Sequence, residues 1–190
     1  MAGMIFAEAD DMVSMIDAAV VMPTVDVSVN NVKDGLSALI DSGRVDLPPV
    51  TRVPLADRYA RRLLYRSPEH GYTVIAMTWG PGQGTPLHDH SGMWCVEGVW
   101  RGEIAVTQYD LVDEGDDTFR FREEGCVRAT AGSAGCLIPP FEYHTIKNAS
   151  QDELAVTIHI YGGEMETCSI FLPENDGWFR RQTREMSYDA

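Results

Sequence analysis

The chain is 190 residues long, 44% hydrophobic and 23% charged, with a formal net charge of −14. That length suits one domain able to bury a core without staples. The negative balance argues against nucleic-acid binding or docking on anionic lipid, which want basic patches, so an anionic substrate would need a local cation.

In chain order, residues 1 to about 41 read as helical. Val32, Leu36, Leu39 and Ile40 fall at i, i+4, i+7 and i+8 behind a candidate cap at Asn30 or Asn31, and Gly43 suits the stop. Residues 46–54, with Pro48, Pro49 and Pro54, read as an extended link. Strand signals follow at Tyr59–Tyr65, Tyr72–Trp79, Met93–Val99, Glu103–Leu111, Phe119–Arg122, Cys126–Thr130, Gly135–Ile138, His144–Lys147, Leu154–Tyr161 and Ser169–Leu172. Many short strands separated by Gly, Pro and Asp turns predict a closed barrel or jelly roll. The expected organisation is all-β: a helical segment over 1–50 packed on a barrel over 51–175. A tail over 176–190, rich in Arg and Gln, reads as a loop or short helix outside it. Four cysteines without Cys-x-x-Cys spacing suggest a reducing cytoplasm. No run reaches transmembrane length and no basic stretch precedes an apolar one at the start, so no membrane or secretory route is expected.

The histidines carry the chemistry. There are five, and His88 and His90 stand two apart behind Gly82-Gln83-Gly84-Thr85-Pro86. Residues i and i+2 of a strand share a face, so both rings could reach one ion while Asp89 points away as a loop hydrogen-bonder. His144, behind Pro139-Pro140, could meet them at a barrel mouth. Three neutral imidazoles suit Fe, Zn, Ni or Cu, and ligand type alone does not choose among these. In Leu154–Tyr161, Thr157, His159 and Tyr161 share one face opposite Leu154, Val156, Ile158 and Ile160. That face reads either as a hydrogen-bond relay into the cavity or as a polar stripe facing solvent. Tyr59, Arg61 and Leu63 share another strand face. An Arg inside a barrel is costly unless it grips an anion, but the pattern leaves open which of Arg61 and Arg62 points inward.

The spacing Gly82-x5-His88-x-His90-x4-Cys95-x6-Gly102 resembles the first cupin motif, with Cys95 in place of the usual Glu. Pro139-x4-His144-x3-Asn148 resembles the second, with Phe141 where Gly is expected. A cupin that replaces its carboxylate in this way resembles the cysteine dioxygenase (thiol dioxygenase) family. The resemblance implies a cupin jelly roll with Fe(II) on His88, His90 and His144. It also implies a Thr157-His159-Tyr161 triad in place of Ser-x-His-x-Tyr, a Cys95–Tyr161 thioether crosslink, and Arg61 with Tyr59 as the substrate clamp. Cys168 matches a family cysteine near the cavity entrance. Two departures stand near the expected cavity. Gly162-Gly163 replaces a Ser-Pro-Pro segment, and Met93-Trp94 precede Cys95 where His or small polar residues are usual.

The physical sense of the missing carboxylate is charge: a thiol bound to a cation is deprotonated, and its thiolate would restore the absent anion. The expected function is therefore an oxidoreductase that puts both atoms of O2 onto the sulfur of a small thiol carboxylate. L-cysteine and its sulfinate are preferred because relatives using 3-mercaptopropionate tend to carry Gln at the Arg61 position. The alternatives are a dioxygenase for 3-mercaptopropionate or another mercapto acid, and a cupin that only binds a metal or small ligand. Oligomeric state is not legible.

Overall fold

The structure, a computed structural model, describes Phe6 and residues 8–190. Two helices open it, α1 (Ala9–Val20) and α2 (Val25–Asp41). The start of α2 is earlier than expected: Thr24 is the cap, in extended backbone, and its hydroxyl accepts from Val27 N at 3.3 Å. Asn30 and Asn31 lie inside the helix, their amides donating to the Asp26 and Val27 carbonyls. Gly43, at φ 68°, follows the last turn as expected. The part of the helical expectation over residues 1–5 and 7 lies outside the described residues.

Eleven strands follow: β1 (Ala60–Arg66), β2 (Thr73–Trp79), β3 (Leu87–His88), β4 (Cys95–Arg101), β5 (Glu103–Glu114), β6 (Thr118–Thr130), β7 (Ala134–Leu137), β8 (His144–Asn148), β9 (Ala155–Tyr161), β10 (Thr167–Pro173) and β11 (Trp178–Glu185). One sheet runs β1-β2-β9-β4-β7; the other, β10-β11-β6-β5-β8-β3, closes on itself through β3 and β10. This is the expected all-β, double-stranded β-helix cupin barrel with helices ahead of it.

Three expectations need correction. The two strands expected over 119–130 are one, β6, because the long β5–β6 ladder runs through the break, absorbing it as a register shift beside Gly125. The link over 46–54 contains a 3₁₀ turn at Pro49–Arg52. The tail is no loop or helix: β11 pairs with both β10 and β6. Its Arg-rich pattern hid a strand whose central side chains, Arg180 to Thr183, are exposed. No helix among the described residues is long and apolar enough to cross a membrane.

The first sheet is covered on both faces, so all of β2 and β9 is buried. Its outer face carries Val74, Ala76, Val96, Val156, Ile158 and Ile160 against Met12, Ile16, Val29, Val32, Leu36 and Ile40 of the helices. Close approach is possible because Gly98 has no side chain; a Cβ there would stand 2.7 Å from Leu36. Leu36→Ala should cost about 3 kcal/mol of unfolding free energy, the usual scale for emptying a filled aliphatic site. Denaturant unfolding checks this, and a loss under about 1 kcal/mol would mean the helix repacks or contributes little. With the apolar half of β9 given to the helices, Thr157, His159 and Tyr161 turn into the barrel.

Candidate metal centre and substrate cavity

Strand register assembles the site. His88 on β3 is paired directly with His144 on β8, and His90 follows in the turn after β3. One ring nitrogen from each of the three lies within 4.8 Å of the others. The ring centroids are 4.4 to 5.4 Å apart. The segment between is braced by Asp89, whose Oδ1 accepts from Ser91 N and Ser169 N, and by Glu142, whose Oε2 accepts from His90 N at 3.2 Å. Gly102 turns the chain at φ 81°, with a missing Cβ that would meet Leu154 O at 2.8 Å. Asn148 of the second motif is architectural: its amide lies within 3.1 Å of the Trp79, Gly80 and Glu153 carbonyls.

The rings are presented as metal donors. His88 Nδ1 faces the Pro86 carbonyl at 3.1 Å and His144 Nδ1 faces Glu142 O at 3.0 Å. Donation from Nδ1–H to these carbonyls leaves each Nε2 lone pair free, the usual preparation of a ligating histidine. Both nitrogens of His90, and Nε2 of His144, are buried without a hydrogen-bond partner. Such orphaned atoms are rare in folded proteins and call for an ion. Burial, reinforced by the neighbouring His144, holds His88 down at about 3, and His90 is lowered by the same causes, so both rings are neutral at neutral pH. The residues fit a divalent transition metal.

The relay strand is fully buried rather than solvent-facing. The Trp79 indole donates to Thr157 Oγ1 at 2.9 Å, and Thr157 Oγ1 lies 2.7 Å from His159 Nε2. With its oxygen occupied by the indole, the Thr157 hydroxyl is free to donate to Nε2, which assigns the His159 proton to Nδ1. That nitrogen is 3.4 Å from the Tyr161 hydroxyl. Tyr161 stands edge-on to His90, with centroids 5.5 Å apart. Directly across the β4–β9 ladder from Tyr161 is Cys95, a pairing that brings side chains within reach. Burial first, then the adjacent Cys95, raises the phenol well above its usual range, so Tyr161 remains a hydroxyl donor.

The choice between the two arginines is resolved by strand facing. Arg62 points to the helix side, bonding Thr78 Oγ1, Val53 O and Ala190 O. Arg61 pairs with Met77, a cavity-lining residue, and is 2% exposed. Its guanidinium has only long bonds to Ser187 O and Met165 O, both 3.4 Å, and stacks 4.8 Å above the Tyr188 ring. Arg61 Nε has no partner at all among the described residues. A buried cation so poorly satisfied is costly without an anion beside it. The cavity that Met77 lines, with Tyr59, His88, Tyr161, Met165 and Cys168, has Arg184 rather than Arg61 as its lining arginine.

One residue was missed from the sequence. Glu97 is 7% exposed, and its Oε1 lies 3.3 Å from His144 Nε2 and 3.2 Å from His159 Nδ1. The three-histidine donor set stands without it, and Glu97 is a separate buried acid next to that set. The signal that could have found it is alternation: Glu97 is two residues after Cys95 and shares its inward face. The two departures also explain each other. A Cβ on Gly162 would stand 2.4 Å from the Trp94 indole, and one on Gly163 2.9 Å from Met93 Sδ. The bulky pair before Cys95 thus requires glycines after Tyr161.

Barrel and site together define a cupin with a three-histidine metal centre. The cysteine dioxygenase type I family model matches residues 47–173, two thirds of the chain, and the protein belongs to that family. Cysteine dioxygenase type 1 of Rattus norvegicus and of Homo sapiens are each 25% identical over 114 residues, covering 60% of this chain and 56% of the relative. The chain thus matches little more than half the length of these curated relatives. Solved structures with a similar trace include the cupin domain of Cnp3 from Schizosaccharomyces pombe, at 16% identity and a TM-score of 0.46 over 64% of this chain and 76% of that one. The protein TT1209 from Thermus thermophilus is 18% identical with a TM-score of 0.46 over 60% of this chain and 94% of that one.

Proposed function

We propose that the protein is a non-haem iron thiol dioxygenase that converts a small thiol carboxylate, L-cysteine in the first instance, to its sulfinic acid. The balance is one thiol and one O2 to one sulfinic acid, with the S–H proton retained in the product. The observation that carries this reading is the position of Tyr161: a buried phenol between His90 of the metal cluster and His159 of the relay. Iron on His88, His90 and His144 would supply a cation that acidifies the thiol and brings sulfur and oxygen together.

The chain's own residues account for the remaining steps. Arg61 offers a buried guanidinium to the substrate carboxylate, with Tyr59 on the adjoining wall. Trp79, Thr157 and His159 fix a hydrogen-bond direction ending at the Tyr161 oxygen, which frees the phenolic proton to point at a reacting oxygen. Met77, Ile146, Met165 and Ile170 keep the cavity apolar. Cys95 and Tyr161 have the pairing for a thioether. Its formation breaks S–H and a ring C–H beside the hydroxyl, makes C–S, and passes two electrons and two protons to O2.

Oxygen-electrode assays after anaerobic Fe(II) loading test the function. The expected result is one O2 consumed per cysteine, with sulfinate formed, kcat/KM for cysteine above that for 3-mercaptopropionate, and linked Cys95 and Tyr161 peptides lighter by two hydrogens. Preference for the desamino thiol would replace the substrate, unlinked peptides after turnover would remove the crosslink, and no oxygen uptake with any thiol would leave a binding cupin.

A further inference from the structure

Arg184 has no part in the chemistry above, yet it lines the cavity together with His88, Tyr161 and Cys168. It stands on β11, beyond residues 47–173 matched by the family model. Pairing with Cys168 on β10 fixes its direction, since directly opposed residues share a face of the sheet. It follows the exposed run Arg180 to Thr183 and is itself half-buried. Its guanidinium lies over the Tyr59 ring, 5.9 Å from the centroid, at the far edge of a cation–π contact. The neighbouring arginines are taken up by carboxylates: Arg180 and Arg181 hold Glu174 and Asp117, while Arg58 and Arg66 hold Asp189 and Glu164. Among the described residues, neither Arg184 nor Arg61 has a carboxylate within 4 Å. Carboxylates are not scarce, with 29 acidic residues against 15 Lys and Arg. Both cations also reach the same wall. Burial raises the Tyr59 phenol and the Cys168 thiol, and the positive charges of Arg184 and Arg61 oppose that rise in each.

We infer that Arg184 is a specificity-determining residue that receives a second acidic group of the substrate, so that the favoured thiols carry two carboxylates. This rests on the thiol-carboxylate reading above, with Arg61 keeping the first carboxylate. A guanidinium fork is matched by one carboxylate, and two forks without protein partners call for two. Arg61, 2% exposed, is the deep receptor, and half-buried Arg184 is the outer one. The net charge of −14 repels a dianion at long range, so a preference for one has to be made locally, by cations set in the cavity wall.

The test compares mercaptosuccinate with 3-mercaptopropionate, from which it differs only by a carboxylate on the carbon that bears sulfur. The full chain is loaded with Co(II), and anaerobic thiol affinity is read from the sulfur-to-cobalt charge-transfer band at fixed ionic strength. Wild type should bind mercaptosuccinate at least about tenfold tighter, the scale of one hydrogen bond to a charged group. Arg184→Met should erase that preference to within about twofold while changing 3-mercaptopropionate affinity less than about threefold. Arg184→Lys, which keeps the charge and loses the fork, should restore part of it. In oxygen-uptake assays the same ratio should appear in KM with kcat little changed, because a remote charge contact is made equally in ground and transition states. Equal losses for both thiols in Arg184→Met would make the residue a brace for Tyr59 and overturn the inference. Wild type that binds the diacid no tighter, or binds neither thiol, overturns it without any variant. The dioxygenase reading fails separately: diacid-selective binding without oxygen uptake would end that reading and leave this assignment standing.

Discussion

His144→Ala abolishes stoichiometric metal binding. His144 is 0% exposed, paired in register with His88, and its Nε2 has no hydrogen-bond partner among the described residues. Loss of a group that only orients a ligand weakens metal sites about 10–100-fold, so loss of the ligand itself should exceed that. The thermal consequence is separable. Wild type gains about 4 kcal/mol at a metal concentration about a thousand times its dissociation constant, and the variant should gain none. Calorimetric titration and melting with and without metal measure both. Full-occupancy binding by His144→Ala would remove the metal centre from the site proposed for it. His159→Ala provides the contrast: it lies in the relay and should retain metal while losing turnover.

The second large effect is a switch in selectivity. Arg61→Met should lower kcat/KM for cysteine by about 10²–10³-fold, since truncating one partner of a buried charge pair costs about 2–5 kcal/mol or more. Cysteamine, the same thiol without its carboxylate, should change by only a few-fold. The free protein should be no less stable than wild type, because Arg61 is held by two long bonds and an aromatic face and leaves Nε unpaired. Equal losses with both thiols would assign Arg61 to structure rather than to carboxylate recognition. Arg62→Met should behave differently, losing stability through its bonds to Thr78, Val53 and Ala190 with no selectivity between thiols.

Much of the barrel was legible because short strands broken by Gly and Pro leave a local signature, and most of the strands lie close to the expected spans. Those that were not legible depend on partners. β3 is two residues long and exists as a strand only because His88 pairs with His144 and Ile170. β11 carries an exposed run of Arg, Gln and Thr that no apolar period could flag. Thr24 outranked Asn30 and Asn31 as a cap because the amphipathic stripe continues further back, through Val29, than the residues first noticed.

The sequence by itself determined the donor set. His88-x-His90 and His144 are local chemistry attached to turns; their spacing points to a three-imidazole centre, and its resemblance to the cupin motifs supplies the barrel type. It also determined that Thr157, His159 and Tyr161 share a face, since alternation is a property of the strand alone. Only the tertiary structure decided which face of each strand is the inside. The helices took the apolar side of β9 and the Arg62 side of β1, which sent the relay into the barrel, left Arg61 on the opposite face from Arg62, and brought Glu97 against His144 and His159. Period-two patterning marks two faces as different, but the direction of burial depends on what packs against them, and that is set by residues far away along the chain.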